Sequence, residues 1–178
     1  MKNNHNIELL KRLKYDDESA LKDLYMAYYE PLFRFAMHFT KSEMIAEEIV
    51  SDVFFNLWQN RNRTPEVNNL DTYLYKAVKN KAIHYIDKAN RRPQNEELSI
   101  AVEYVSDEDN PENIIIKEEI DSLLTGVVES LPAKCRLIFK LACEDRLKYK
   151  EIAKILNISV KTIDAQLRIA KQKLRKLI

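Results

Sequence analysis

The sequence predicts an all-α fold of two small helical domains joined by a flexible acidic linker. The 178 residues include one glycine, Gly126, and five prolines. Antiparallel sheets need tight turns, and such turns usually need glycine, so extensive sheet is excluded. Apolar residues make up 46% of the chain and recur at helical spacing over most of it. This composition is sufficient for a packed core and is typical of a helical protein.

Charge is distributed in blocks, although the net charge is only +1. Residues 1–60 carry 7 basic and 10 acidic side chains, and residues 61–92 carry 8 basic and 3 acidic side chains. Residues 93–130 carry 1 basic and 11 acidic side chains, whereas residues 131–178 carry 13 basic and 4 acidic side chains. Two basic blocks separated by an acidic one indicate two surfaces that contact a polyanion, joined by a connector that repels or masks it.

The N-terminal domain, residues 1–92, is predicted to contain three long helices. Acidic and capping residues at 16–19 begin the first, which we expect Pro31 to kink or interrupt. Ser42 is a suitable N-cap for the second. The remaining predicted segments are a second helix at about 43–60, a loop at 61–69 and a third helix at about 70–90.

The C-terminal domain, residues 112–178, follows a linker at 93–111. This linker is acidic and lacks clear periodicity, so we expect it to be at least partly disordered. Beyond it, helical periodicity resumes and Leu131-Pro132 interrupts it. The predicted helices are at about 111–130, 133–145, 148–156 and 160–177.

The last two helices have the pattern of a helix-turn-helix. Asn157 stands where the turn requires a left-handed conformation, and Ser159 is placed to cap the second helix. The residues expected to face inward are Ile152, Ala153 and Leu156 on the first helix and Val160, Ile163, Leu167, Ala170 and Leu174 on the second.

Burial of that stripe leaves a polar and basic face on the last helix. Its members are Lys161, Thr162, Asp164, Ala165, Arg168, Lys171 and Lys173. Basic groups for phosphates and polar groups for base edges are what a helix in the DNA major groove needs. The alternative is a plain helical hairpin with a solvated basic face. The net charge of +9 over residues 131–178 favours DNA binding.

The two cysteines, Cys135 and Cys143, are eight positions apart on one predicted helix. At 1.5 Å per residue they are roughly 12 Å apart, too far for a disulfide. Both are predicted to be small buried apolar residues in a reducing compartment. No apolar run approaches ~20 residues, and the polar residues 1–6 do not begin a signal peptide, so a cytoplasmic protein is expected.

No constellation of residues in the sequence indicates catalysis. There is no Gly-rich phosphate loop, zinc-ligand spacing or nucleophile motif, and the three histidines are scattered. Adjacent carboxylates such as Glu47 and Glu48 point in different directions on a helix. We therefore expect no enzyme activity, cofactor, metal or small-molecule substrate.

Several segments together resemble one protein family. Leu131-Pro132 and residues 149–163 (YKEIAKILNISVKTI) resemble the fourth conserved region of extracytoplasmic-function sigma factors, although that pattern usually has glycine where Asn157 stands. Residues 24–36 (LYMAYYEPLFRFA) resemble the opening of the family's second region. Residues 46–58 (AEEIVSDVFFNLW) resemble its polymerase-binding helix, and residues 69–87 (NLDTYLYKAVKNKAIHYID) its promoter-melting helix.

The resemblance implies that the helix holding Asp52 docks on a coiled coil of the large polymerase subunit. The implied contact residues are Glu48, Asp52, Phe55, Asn56 and Gln59, with Asn60 beside them. Trp58 has two interpretations, a core residue or part of this interface. For Asp52 we favour the interface over a purely solvated role.

The resemblance also implies that residues 61–92 bind and open the minus-ten promoter element. Strand opening needs a basic track for the backbone and aromatic or amide groups for splayed bases. The residues assigned to this role are Arg61, Arg63, Asn68, Asn69, Tyr73, Lys76, Lys79, Asn80, Lys81, Arg91 and Arg92. Lys88, Tyr75 and Tyr85 lie among them. For any one of the tyrosines, packing is an equal alternative.

In the family, the last helix contacts the minus-thirty-five element. The residues assigned to this contact are Ser159, Lys161, Thr162, Asp164, Ala165, Arg168 and Lys171. The resemblance further implies core RNA polymerase, promoter DNA and an anti-sigma factor as partners. The acidic linker either imitates RNA in the polymerase exit channel or is a solvated tether.

Two other functions are alternatives to that of a sigma factor. A different helix-turn-helix regulator does not account for residues 20–92. A sigma mimic that only titrates anti-sigma factors is expected to lack the basic track at 61–92 and the basic last helix, and both are present. Salt-dependent DNA affinity separates the mimic from a true sigma factor.

Overall fold

The computed structural model describes residues 2–63, 69–90 and 126–175, and these ranges contain helices and turns without strands. The helices are α1 (Lys2–Lys14), α2 (Glu18–Thr40), α3 (Glu43–Gln59), α4 (Leu70–Asn90), α5 (Ala133–Cys143), α6 (Tyr149–Leu156) and α7 (Val160–Leu174). Residues 126–129 are also helical. The chain divides into two compact units, Met1–Ala101 and Val102–Ile178. The predicted all-α class is confirmed, whereas the predicted linker at 93–111 lies outside the described residues.

Helix α1 was not predicted from the sequence. It packs on α2 with Leu9, Leu10 and Leu13 fully buried. Together with Asn6, these residues follow the i, i+3, i+4, i+7 spacing of one helical face. That spacing was available in the sequence, but the polar residues at 1–6 obscured it.

Helix α2 is continuous through Pro31, so the predicted interruption is wrong. Proline removes one backbone hydrogen bond and costs about 3 kcal/mol in a helix interior. Leu24 and Tyr28 before Pro31, and Leu32 and Phe35 after it, are all buried on one side of the helix. Burying each such side chain stabilises the fold by about 1.5–3 kcal/mol, which outweighs the cost of the proline.

Helix α4 packs against both α2 and α3. Its buried residues are Leu70, Leu74, Tyr75, Val78, Ala82 and Ile86. Packing and a base contact were equal alternatives for Tyr75, and the side chain is only 1% exposed. Its ring packs edge-on against Phe35, with centroids 5.0 Å apart. Packing is therefore the role of Tyr75, because a side chain this deeply enclosed is not available to a base.

A buried chain of hydrogen bonds joins three helices of the N-terminal unit. The Asn6 amide on α1 donates to the Tyr28 hydroxyl on α2 at 2.6 Å. That hydroxyl donates to a carboxylate oxygen of Asp71, in the first turn of α4, at 2.9 Å. Asn6 is 4% exposed and Tyr28 is 2% exposed. Water therefore cannot readily replace the hydroxyl as the acceptor for the Asn6 amide.

The Tyr28→Phe variant is expected to lower the free energy of unfolding by about 1–3 kcal/mol, because it leaves the buried Asn6 amide without its acceptor. Urea denaturation followed by circular dichroism measures this change. Adding Asn6→Leu to Tyr28→Phe removes the unsatisfied amide as well, so the double variant is expected to recover part of the loss. A Tyr28→Phe protein as stable as the wild type would contradict this account.

Asp17 caps the N-terminus of α2. Its carboxylate accepts from the Ser19 hydroxyl at 2.6 Å, the Ser19 backbone amide at 2.9 Å and the Arg12 guanidinium at 2.8 Å. The Ser19 hydroxyl and then Arg12 lower the Asp17 pKa from 3.8 to about 2. A lowered folded-state pKa stabilises the fold above the unfolded value, and this contribution is lost as the pH falls toward the folded value.

The Asp17→Ala variant is therefore expected to melt at a lower temperature than the wild type near neutral pH. The difference in Tm should shrink as the pH falls from about 4 to about 2, where the wild-type carboxylate becomes protonated. Thermal denaturation across this range measures it. A Tm difference that stays constant with pH would show that the charged cap makes no contribution.

The C-terminal unit buries one face of each of α5, α6 and α7. Leu131, Cys135 and Ala170 form a buried cluster against which Phe139 packs. The Cys135 thiol donates to the Gln166 carbonyl at 3.2 Å, and burial raises its pKa. Cys135 is buried as predicted, but Cys143 is exposed because it ends α5 outside the packed face.

The turn between α6 and α7 has the predicted form. Asn157 is left-handed, with φ 57° and ψ 47°, and its backbone N–H donates to Ala153. The Ser159 hydroxyl accepts from the Thr162 backbone amide at 3.0 Å and caps α7. On α6 the fully buried residues are Ile152 and Ile155. Ala153 and Leu156, predicted to face inward, are half-buried.

The buried stripe of α7 begins one turn later than predicted. Ile163, Leu167 and Ala170 are buried and Leu174 is half-buried. Val160, the first residue of α7, is 38% exposed. No helix in the described ranges is long and apolar enough to cross a membrane.

Candidate protein and nucleic-acid interfaces

One face of α3 is a continuous exposed stripe. Glu48, Asp52, Phe55, Asn56 and Gln59 are all exposed and repeat at intervals of one helical turn. Phe55 is 60% exposed, which is unusual for a large aromatic side chain. Two carboxylates and two amides around an exposed aromatic ring are suited to a protein partner with both basic and apolar groups.

Beside this stripe, an apolar groove separates α2 from α3. It is lined by Glu18, Leu21, Lys22, Tyr25, Phe54, Phe55 and Trp58. Trp58 is half-buried in the groove wall, and the Arg61 guanidinium lies 4.5 Å from the centroid of its ring. The position of Trp58 is thus intermediate between a core residue and an exposed interface residue, the two alternatives given for it. Sequence analysis missed Leu21 and Tyr25, whose only signal was apolar character beside the core face of α2.

Arg61, assigned to the minus-ten contact, is engaged within its own unit. Its guanidinium forms an ion pair with Asp16 and donates to the Trp58 carbonyl at 3.0 Å. Arg63 is exposed. Asn68, Arg91 and Arg92 lie outside the described residues. The described part of this basic segment therefore offers one exposed arginine and one that is already paired.

The outward side of α4 carries the other minus-ten residues. Lys76 and Asn80 are exposed, whereas Tyr73, Lys79 and Lys81 are half-buried. Tyr85 is also half-buried and Lys88 is exposed. These residues form a basic surface with aromatic and amide groups on one helix. Such a surface is suited to a nucleic-acid backbone with unstacked bases.

Asn69 has a structural role at the start of α4. Its side-chain oxygen accepts from the Thr72 backbone amide at 2.7 Å, the geometry of an N-cap. Asn69 was assigned to promoter contact on the resemblance alone. The observed bond fixes the side-chain oxygen at the helix start.

An ion pair connects the α3 stripe to the basic surface of α4. The Lys81 ammonium donates to a carboxylate oxygen of Asp52 at 2.8 Å. Their side chains are 32% and 54% exposed, so water reaches both groups. Two residues assigned to different partners are therefore in contact with each other.

The exposed face of α7 contains the residues predicted for the major groove. Lys161, Asp164, Ala165, Arg168 and Lys171 are exposed over successive turns. Ser159 is exposed and Thr162 is half-buried, and their hydroxyls are 2.9 Å apart. Lys173 instead donates to the Ser130 carbonyl at 2.9 Å. Helix α7 thus presents a polar and basic face whose start is rigidly capped.

The described residues were compared with the requirements of a metal site. Among these described residues, no group of three or more His, Cys, Asp or Glu side chains is placed to hold a metal ion. The arrangement of exposed charges instead suits macromolecular partners.

Comparison with known proteins assigns both units to one family. The family model Sigma-70 region 2 matches residues 24–92, and the model Sigma-70, region 4 matches residues 122–174. The chain belongs to the extracytoplasmic-function (ECF) group of sigma-70-type sigma factors. The resemblance inferred from the sequence is therefore confirmed.

Curated relatives match along nearly the whole chain. The ECF RNA polymerase sigma factor SigW of Bacillus subtilis is 25% identical over 176 residues, which cover 94% of this chain and 93% of SigW. The ECF RNA polymerase sigma-E factor of Escherichia coli K12 is 25% identical over 169 residues, covering 89% of this chain and 86% of the relative.

Solved structures share the fold. CnrH, in complex with the cytosolic domain of CnrY, has a TM-score of 0.59 at 17% identity and covers 97% of this chain and 96% of CnrH. RpoE of Bartonella quintana, in complex with the anti-sigma factor NepR, has a TM-score of 0.59 at 19% identity. The match covers 88% of this chain and 94% of RpoE.

Family membership fixes the general role of this ECF factor. Sigma factors bind core RNA polymerase and promoter DNA and act in transcription initiation. They are transcription regulators rather than a class of enzymes.

Proposed function

We propose that this ECF factor directs promoter-specific initiation through three surfaces. The exposed stripe of α3 docks on core polymerase, residues 61–92 bind and open the minus-ten element, and α7 enters the major groove of the minus-thirty-five element. The strongest support for the proposal is the capped, basic outer face of α7, because it combines phosphate-binding charges with polar groups that can contact base edges.

The proposed function divides the chain into two domains and a linker. Residues 1–92 are the polymerase and minus-ten domain, residues 93–111 the acidic linker and residues 112–178 the minus-thirty-five domain. The family models at 24–92 and 122–174 fall within the two domains. The linker, with its excess of carboxylates, either follows the RNA exit path as a polyanion or acts as a tether. Because the bacterial transcription machinery is cytoplasmic, the proposed function places the protein there.

An anti-sigma factor is a further proposed partner. The similar structures are of complexes, CnrH with the cytosolic domain of CnrY and RpoE with the anti-sigma factor NepR. The apolar groove between α2 and α3, with exposed Phe55 at its edge, supports this proposal, since such a groove can receive apolar side chains of a protein partner.

Footprinting of a reconstituted holoenzyme on a responsive promoter tests the proposed division of labour. Hydroxyl-radical protection upstream should depend on α7, and permanganate reactivity of thymines near minus ten should depend on residues 61–92. A holoenzyme without residues 131–178 is expected to lose upstream protection. Upstream protection that survives this deletion would contradict the assignment of the minus-thirty-five contact to α7.

A further inference from the structure

Polar contacts link helix α1 and the turn after it to both ends of the segment that joins α3 to α4. We propose that α1 and this turn form a positioning element for minus-ten recognition, with one anchor where α3 ends and a second where α4 begins. Asp16 holds Arg61 at the first anchor. Asn6, acting through Tyr28, holds Asp71 at the second. The inference rests on the minus-ten role proposed for this part of the chain. Helix α1 lies outside the match to the region 2 family model, which begins at residue 24.

The first anchor fixes the Arg61 side chain through three interactions. Its guanidinium forms an ion pair with Asp16, donates to the Trp58 carbonyl at 3.0 Å and lies 4.5 Å from the centroid of the Trp58 ring. Asp16 is itself held in a tight turn, because its backbone N–H donates to the Leu13 carbonyl at 3.1 Å. Arg61 is therefore a positioning residue, since its guanidinium is engaged within the unit.

The second anchor fixes the first turn of α4. The buried Asn6 amide donates to the Tyr28 hydroxyl at 2.6 Å, and that hydroxyl donates to the Asp71 carboxylate at 2.9 Å. In the same turn, the Asn69 side-chain oxygen accepts from the Thr72 backbone amide at 2.7 Å. The start of α4 is thus capped by its own flanking residue and also bonded to α2. It cannot shift without breaking a hydrogen bond of a buried hydroxyl.

Fixed ends favour discrimination between bases. Contacts to base edges need donors and acceptors held to within about 0.5 Å, so a recognition surface depends on supporting residues that lock it in place. Attraction to phosphates depends instead mainly on charge and is nearly independent of sequence. Loss of an anchor is therefore expected to weaken the preference for the correct minus-ten sequence more than it weakens DNA binding in general.

The test uses holoenzyme reconstituted with the full-length chain and a promoter fragment from which the wild type initiates. Single-round transcription at limiting holoenzyme compares this fragment with copies that each carry one substituted minus-ten base pair. The ratio of native to substituted transcript measures discrimination. A variant that is merely less folded loses both transcripts in proportion, so the ratio reports positioning and not stability.

Asp71→Ala removes the second anchor. We expect it to lower the ratio by about three- to tenfold, since one mismatched base pair commonly costs about tenfold or more in affinity. Asp16→Gly removes the first anchor with a residue type suited to the left-handed φ of 61°. It should lower the ratio by about two- to fivefold, the fold-change of an exposed ion pair.

Two controls separate anchoring from other effects. Asp71→Asn keeps a side-chain oxygen that accepts from Tyr28, and it should retain most of the discrimination. Lys41→Gly makes a comparable backbone change at another left-handed position of the same unit, with φ 52°, and should leave the ratio unchanged.

Three results would overturn the inference. These are a wild-type ratio in either anchor variant, a loss in Asp71→Asn as large as that in Asp71→Ala, and a loss in Lys41→Gly as large as that in Asp16→Gly. A wild-type holoenzyme without any minus-ten preference would contradict the proposed function, and the inference with it. Unchanged ratios in the variants, beside a wild type that prefers its native minus-ten element, would contradict the inference alone. The two failures are therefore distinguishable.

Discussion

The variant Lys161→Glu with Arg168→Glu is expected to reduce transcription from a promoter that depends on its minus-thirty-five element by on the order of 100-fold or more. Both side chains are exposed on the outer face of α7, two turns apart. A single contact to a base edge is worth about 1–3 kcal/mol, and reversed charges also repel phosphates. Single-round transcription with saturating core polymerase measures the loss.

A matched variant, Lys134→Glu with Arg146→Glu, changes the net charge of the same unit equally but lies outside α7. It should keep most of the activity. If both double variants lose activity equally, then the general charge of the unit, and not the face of α7, determines promoter binding.

The Asp52→Arg variant is expected to weaken binding to core polymerase by at least about 30-fold, because disrupting a charge pair within an interface costs about 2–5 kcal/mol. It places a cation where the proposed partner is basic and also sets it beside Lys81. Competition with a labelled sigma factor for core polymerase measures the affinity.

Glu43→Arg provides the control for this variant. Glu43 is exposed in the first turn of α3, and it is not part of the proposed stripe. The same charge change there should leave the affinity for core polymerase nearly unaltered. Equal losses for the two variants would remove the special role of Asp52.

Most of the fold was predictable because local signals and tertiary packing agree. The start of α2 at Asp17 and the left-handed Asn157 were apparent from residue type and position. Ser42 occupies the N-cap position of α3 as predicted, but its side chain makes no capping hydrogen bond. The interruption expected at Pro31 was wrong because the local cost of proline takes no account of the packing on both sides of it. Helix α1 was missed because its apolar face is short and preceded by polar residues.

The site was predictable along each helix but not between helices. The outer faces of α3 and α7 follow from periodicity, since residues that are not buried must point outward. The choice between packing and a base contact at Tyr75 could not be made from the sequence, because its burial depends on the ring of Phe35, which is 40 positions away. The Asp52–Lys81 pair likewise depends on how α3 and α4 pack against each other. Local periodicity does not determine that packing.

Run-off transcription on genomic promoter fragments tests the central claim most directly. Core polymerase is assayed alone and with this protein, alongside Asp52→Arg and a chain lacking residues 131–178. The account predicts new promoter-specific transcripts with the wild type and their loss in both variants. No new transcript, together with no binding to core polymerase, would contradict promoter-specific initiation and favour a DNA-binding regulator that acts by another route.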